Sequence, residues 1–200
     1  MAKTNCKNVN PNRFFFLIFL LIAFICGCHQ PKMDLITVEA NIVKNSVYKR
    51  LDKEKDTREF GLDIVQPPKT SDVRYRNNRN HSLNDTTYSR MYNCKSYINK
   101  GGLRINIGIG NGFVSEGFFI NCKDSQFNVK PYYETDAIVE GQPEPIFTTI
   151  DQKLILNKSH YALGDSVFGR VTFKVVEENN GQKITHIGDG YFRCKVVKDP

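Results

Sequence analysis

Ser166 to Val176 reads SVFGRVTFKVV. Val167, Gly169, Val171, Phe173 and Val175 share one face of an extended chain, while Phe168 and Val176 fall on the other. This period of two marks a half-buried β-strand. Asn179-Asn180-Gly181 follows, and its residue types suit a hairpin turn because Asn and Gly tolerate positive φ. The chain then returns through two further strand candidates, Lys183 to Ile187 and Gly190 to Val197.

The same pattern extends toward the N-terminus. Leu103 to Ile109 (LRINIGI) alternates apolar with small or polar residues, and Gly110-Asn111-Gly112 is a turn signal. Phe113 to Asn121 and Gln126 to Tyr133 are strand candidates, with Pro131 placing the second at an edge. Pro143 and Pro145 punctuate a loop, and Ile146 to Leu156 (IFTTIDQKLIL) holds one or two strands. Six to eight short, closely spaced strands with little helix imply a mainly β fold, an antiparallel β-sandwich or partly closed barrel. Trp is absent, so 14 Phe and 9 Tyr must supply the aromatic packing.

Leu154-Ile155-Leu156-Asn157-Lys158-Ser159, then Tyr161, Leu163-Gly164-Asp165-Ser166-Val167 and Gly169, resembles the strand, Tyr, Gly-Asp turn, strand unit of bacterial extracellular immunoglobulin-like domains. Gly188-Asp189-Gly190-Tyr191-Phe192-Arg193 fits a last strand of such a domain. The resemblance spans less than a quarter of the chain and implies a fold, not an activity. The layout as a whole is similar to that of uncharacterised lipoproteins.

The N-terminal segment carries the location signal. Residues 1–13 are polar and basic, and Phe14 to Cys26 (FFFLIFLLIAFIC) is an unbroken apolar run. A spanning helix needs about 20 such residues, so the run is too short to cross a bilayer and fits the apolar core of a signal peptide. Ile25-Cys26-Gly27-Cys28 resembles the bacterial lipobox. That resemblance implies diacylglycerol on the Cys28 thiol, cleavage between Gly27 and Cys28, and acylation of the new amine. Two or more acyl chains give a stable anchor. An Asp after the lipidated cysteine would signal inner-membrane retention; His29 stands there, which favours the outer membrane. The expected organisation is a signal peptide over 1–27, a tether over 28–59 and a β-rich extracytoplasmic domain over 60–200 with its core at 103–197. The tether is expected because Lys49 to Glu59 (KRLDKEKDTRE) carries nine charged side chains out of eleven, which cannot be buried together.

The formal charge is +7, but Lys3, Lys7 and Arg13 precede the cleavage site, leaving 25 basic against 21 acidic side chains. So mild an excess does not argue for nucleic acid. Val73 to His81 interleaves Arg74, Arg76 and Arg79 with Tyr75, which could hold an anionic partner by charge and stacking, or could be an exposed loop.

Three cysteines remain besides Cys28. In an oxidising compartment one disulfide and one free thiol are the simplest outcome, with three possible pairings. Cys94–Cys122 is the expected bond, with Cys194 free and buried as a small hydrophobe. No paired Cys or His spacing suggests a metal, and no cofactor motif is present. Gly108-Ile109-Gly110-Asn111-Gly112 lacks the helix and Lys of a phosphate loop and reads as a turn. His81, His160 and His186 are scattered and read as surface residues. Asp165 and Asp189 each follow a Gly and read as Asx turns rather than calcium ligands. No nucleophile elbow occurs and no base is placed beside a cysteine. The expected function is a lipid-anchored, non-enzymatic binding or assembly module of the cell envelope, with an envelope protein or glycan as possible partner. A small envelope hydrolase and a purely structural lipoprotein are the alternatives.

Overall fold

The hairpin around Asn180 and Gly181 organises the molecule. The computed structural model describes residues 32–55, 68–79, 83–84, 92–99, 102–110, 113–137 and 143–199. Ten strands occur among them: β1 Asp34–Leu35, β2 Thr37–Val38, β3 Arg74–Asn77, β4 Asn93–Asn99, β5 Gly102–Gly110, β6 Val114–Lys123, β7 Gln126–Thr135, β8 Ile146–Leu156, β9 Ser166–Asn179 and β10 Gln182–Lys198. Asn180 and Gly181 both have positive φ, 50° and 76°, as a tight two-residue turn requires. They set β9 against β10 in an unbroken register from Asn179–Gln182 to Ser166–Lys195. The two return strands expected from sequence are one strand of 17 residues. Gly188 and Gly190 look like breaks, but neither interrupts the ladder.

Neighbours follow the order β1-β7-β6-β5-β4-β10-β9-β8-β2, with β3 on the free flank of β10. The mainly β expectation holds, and of its two forms the sheet takes the nearly closed barrel. Two pairs, β4–β10 and β2–β8, are parallel rather than antiparallel. β8 is a single strand with a bulge between Thr149 and Asp151 that turns Ile150 outward.

Closure comes from a strap of five residues. Asp34 and Leu35 pair with Phe127 and Gln126 on β7, and Thr37 and Val38 pair with Ile155 and Leu156 on β8. Between them Ile36 donates its N–H to the Ser125 carbonyl at 2.9 Å. Gln152 is buried in this seam. Its Oε1 accepts from the Val129 N–H at 3.1 Å, and its Nε2 donates to the carbonyls of Lys32 at 3.1 Å and Phe127 at 3.4 Å. One amide side chain thus satisfies backbone groups that neither β7 nor β8 pairs directly.

The inward rows of the strands make one core. Phe118 and Phe173 meet at 4.6 Å between ring centroids, and Tyr75 packs edge-on against Tyr92 at 5.1 Å. Outside the barrel, a 3-10 turn over Ala40–Lys44 leads into helix α1, Ser46–Leu51. Asn45 caps it by accepting from the Val47 N–H at 3.0 Å. Val47, Tyr48 and Leu51 are buried against Phe168 and Tyr191, the outer face of β9 and β10. Residues 34–54, expected to be tether, are therefore part of the folded unit. Of the charges that argued otherwise, Arg50 pairs with Asp72 at 2.6 Å, and Asp52 with Arg193 at 2.6 Å. The apolar residues between them do the packing.

Candidate functional site

At one end of the barrel the strand termini surround a cavity of about 340 Å3. Its floor and walls are Ile36 of the strap, Ile98 of β4, Leu103 of β5, Cys122 of β6 and Leu156 of β8. Lys123 at the end of β6, Asp124 and Ser125 of the β6–β7 turn, and Ser159, His160 and Tyr161 of the β8–β9 loop form a polar rim. An apolar interior with a few polar groups at its edge is the usual build of a small-molecule site, and this one lies near the lower end of the common size range of about 300–1,000 Å3.

The rim is held by local hydrogen bonds. Asp124 and Ser125 both have positive φ, 50° and 63°, in a tight turn that keeps β6 and β7 in register. In the β8–β9 loop, Tyr161 donates its hydroxyl to Asn157 Oδ1 at 2.8 Å, and that Oδ1 also accepts from the Phe168 N–H at 2.8 Å. Asp165 Oδ2 accepts from the Ala162 N–H at 3.0 Å and Oδ1 pairs with Lys158 at 3.2 Å. These contacts lower the Asp165 carboxyl, the Ala162 N–H most and Lys158 next. Asp165 is thus a loop cap, though through the N–H three residues before it rather than the following N–H that the expected Asx turn uses. Asp189 is not: it sits within β10 and accepts across the sheet from Thr172 Oγ1 at 2.9 Å and Arg170 at 3.2 Å.

Cys122 contributes a buried thiol to the pocket, and burial pushes its pKa up to about 12. Such a thiol stays protonated and is a poor nucleophile. His160 is exposed and its Nδ1 lies 2.9 Å from the Ser159 hydroxyl on the rim. The pocket therefore offers shape, apolar surface and rim hydrogen bonds.

A second cluster lies in the core. Arg79 reaches both oxygens of Glu177 at 2.9 Å, Glu177 Oε2 lies 2.9 Å from His186 Nε2, and His186 Nδ1 lies 2.7 Å from the Tyr75 hydroxyl. All these groups are satisfied when Tyr75 donates to Nδ1 and Nε2 donates to the carboxylate. Burial alone would raise the Glu177 carboxyl, but the bonds from His186 and Arg79 outweigh it and hold it below the ordinary value. The chain looks like a catalytic relay, yet Tyr75, His186 and Glu177 are each no more than 3% exposed, so no substrate reaches them. His186 is a core residue rather than the surface residue expected.

The anionic-partner patch does not assemble. Tyr75 is buried and cannot stack on a ligand, Arg79 is spent on Glu177, and Arg76 donates to the Leu83 carbonyl at 2.8 Å. Arg74 alone of the four is exposed. β3 alternates, so its residues cannot all present one face.

Cys94, Cys122 and Cys194 are all free thiols. The expected Cys94–Cys122 bond is excluded by register. Cys94 lies opposite Ile107 of β5, and Cys122 lies opposite Leu103 on that strand's other side. Two strand spacings and four residues of stagger separate them by roughly 15 Å, well beyond the reach of a disulfide. Cys194 is half-buried, at the edge of the core. Cys28, the Gly27–Cys28 cleavage site and His81 lie outside the described residues. Among the described residues no group of three or more His, Cys, Asp or Glu side chains could hold a metal.

No protein family, curated protein or solved structure matches this chain. The sequence missed the pocket because its walls come from four strands, the strap and two loops spread along the chain. The strand alternation identifies which residues face inward and not which barrel end stays open.

Proposed function

We propose that this chain is a lipid-anchored binding module of the bacterial cell envelope, on the outer membrane, whose barrel mouth takes the apolar part of an amphipathic ligand. The observation that carries the reading is the half-open cavity with an apolar floor and a mixed polar rim. A purely structural barrel would gain by filling that space. The inert Cys122 thiol and the rim-bound His160 favour binding over turnover. The anchor rests on the lipobox at Ile25 to Cys28, and an envelope protein or glycan supplies the partner class that such a location offers.

The test has two arms. Fractionation of a host expressing the wild-type chain and Cys28→Ser should show lipid label and membrane retention for the first alone. For the pocket, the barrel is titrated with the fluorescent probe anilinonaphthalene sulfonate. Saturable binding at one site is expected, and Ser159→Trp, which adds bulk on an exposed rim position, should weaken it by about tenfold or more. The chain has no other Trp, so emission from that residue also reports occupancy directly. Unsaturable binding, or affinity untouched by Ser159→Trp, would defeat the pocket reading.

A further inference from the structure

β4 and β10 share a short parallel ladder, Ser96–Val196, Tyr97–Val197 and Ile98–Lys198. Carrying that register back by two residues sets Cys94 opposite Cys194. Both lie in the row of Ser96 and Val196, which face the core at 0% and 1% exposure, because side chains on a strand repeat every two residues. At this level the strands no longer bond to each other. Thr70 stands between them, its carbonyl accepting from the Arg193 N–H at 2.8 Å and its hydroxyl from the Cys94 N–H at 2.8 Å. A disulfide needs Cα atoms about 4.4–6.8 Å apart, and the ladder that begins two residues on holds the strands about 4.8 Å apart.

We propose that Cys94 and Cys194 are the cross-linking pair of this protein, forming an intramolecular disulfide that clasps the β4–β10 seam. The two thiols already interact: burial pushes the Cys94 pKa up, and the adjacent Cys194 thiol adds to it. Cys122 lines the pocket on β6, across β5 from Cys94, and takes no part. The clasp also reinforces a short seam, since the parallel ladder beside it is only three residue pairs long.

The oxidant is a disulfide donor, either a protein thiol oxidase or a small-molecule disulfide. The half-buried Cys194, as thiolate, attacks one donor sulfur, forming a mixed disulfide and releasing one donor thiol. The Cys94 thiolate then attacks the Cys194 sulfur, which forms the new S–S bond and releases the second donor thiol. Two electrons pass to the donor, and the two protons lost by the cysteines end on the two donor thiols.

The experiment is chemical and independent of the anchor. The mature chain in detergent micelles is equilibrated with mixed reduced and oxidised glutathione, quenched with N-ethylmaleimide, digested and mapped by mass spectrometry. The expected product is a Cys94–Cys194 peptide pair with Cys122 alkylated after unfolding, unchanged in Cys122→Ser and absent from Cys194→Ser. The oxidised form should melt roughly 5–15 °C above the reduced form. A bond that includes Cys122, a disulfide-linked dimer, or Cys94 and Cys194 both recovered as thiols or glutathione adducts would overturn the proposal. The map on the wild-type chain decides the matter even if a serine variant fails to fold.

Discussion

Glu177 holds a carboxylate inside the barrel at 3% exposure, which is tolerable only because Arg79 and His186 bond to both its oxygens. Removing the charge leaves Arg79 without its counter-ion. Glu177→Gln should therefore cost about 2–4 kcal/mol in urea unfolding at neutral pH. Because the folded carboxyl is held below its ordinary value of 4.5, its stabilising contribution is present in full above that value. It drains away as pH falls toward the lowered folded value, where the native state too takes up the proton. The stability gap between wild type and Glu177→Gln should thus be steady well above pH 4.5 and narrow as pH falls below it. A constant gap would show that the carboxylate is not the cause. This pair was within reach of the sequence. The Asn180-Gly181 turn fixes Glu177 opposite Ile184, which sets His186 two residues further along the same inward row. The two polar residues are diagonal neighbours on one face, and reading His186 in isolation hid that.

β10 shows why some element boundaries were illegible. Gly188-Asp189-Gly190 has the composition of a turn, yet each residue is explained by what lies against it. A Cβ on Gly188 would run into the Phe173 ring, which is itself packed against Phe118 and Tyr75. Gly190, at φ 151°, lies against the backbone of Asp72 and Val73, so β3 and the chain leading to it approach closely. The glycines are spacing devices in a continuous strand, information held by the neighbours and not by the segment. Gly188→Ala should destabilise by about 1–3 kcal/mol through overpacking, and Phe173→Leu in the same chain should recover part of that loss. Denaturation of the two single variants and the double variant measures the coupling; strictly additive losses would mean the ring does not feel the methyl group. Helix α1 could not be told from tether for a related reason. Its three buried residues, Val47, Tyr48 and Leu51, are too few to show a period, and a charge run surrounds them.

At the scale of the molecule, turn chemistry and strand alternation made the mainly β architecture legible, while the way the sheet closes was not. Closure depends on five residues that pair over four strand positions, and Leu35 and Val38 among them are exposed, so no apolar pattern marks them. Ile36→Pro removes the N–H that bonds Ser125 at the centre of the strap. Contacts so distant in sequence form late in folding, so the loss should fall mostly on the unfolding rate. Stopped-flow measurements should show unfolding faster by roughly 5–30-fold with refolding nearly unchanged. Equal slowing of refolding would place the strap in the folding nucleus instead.

The strap also sets an order in time. Asp34 must wait for Phe127 and Val38 for Leu156, gaps of 93 and 118 residues in the growing chain. At common rates of synthesis that is a delay of about 5 to 25 s. Among the described strands, the first to be made are among the last to be placed. For that interval the strap has no strand to pair with, and the edges of β7 and β8, once made, stay open until that earlier segment comes back to cover them.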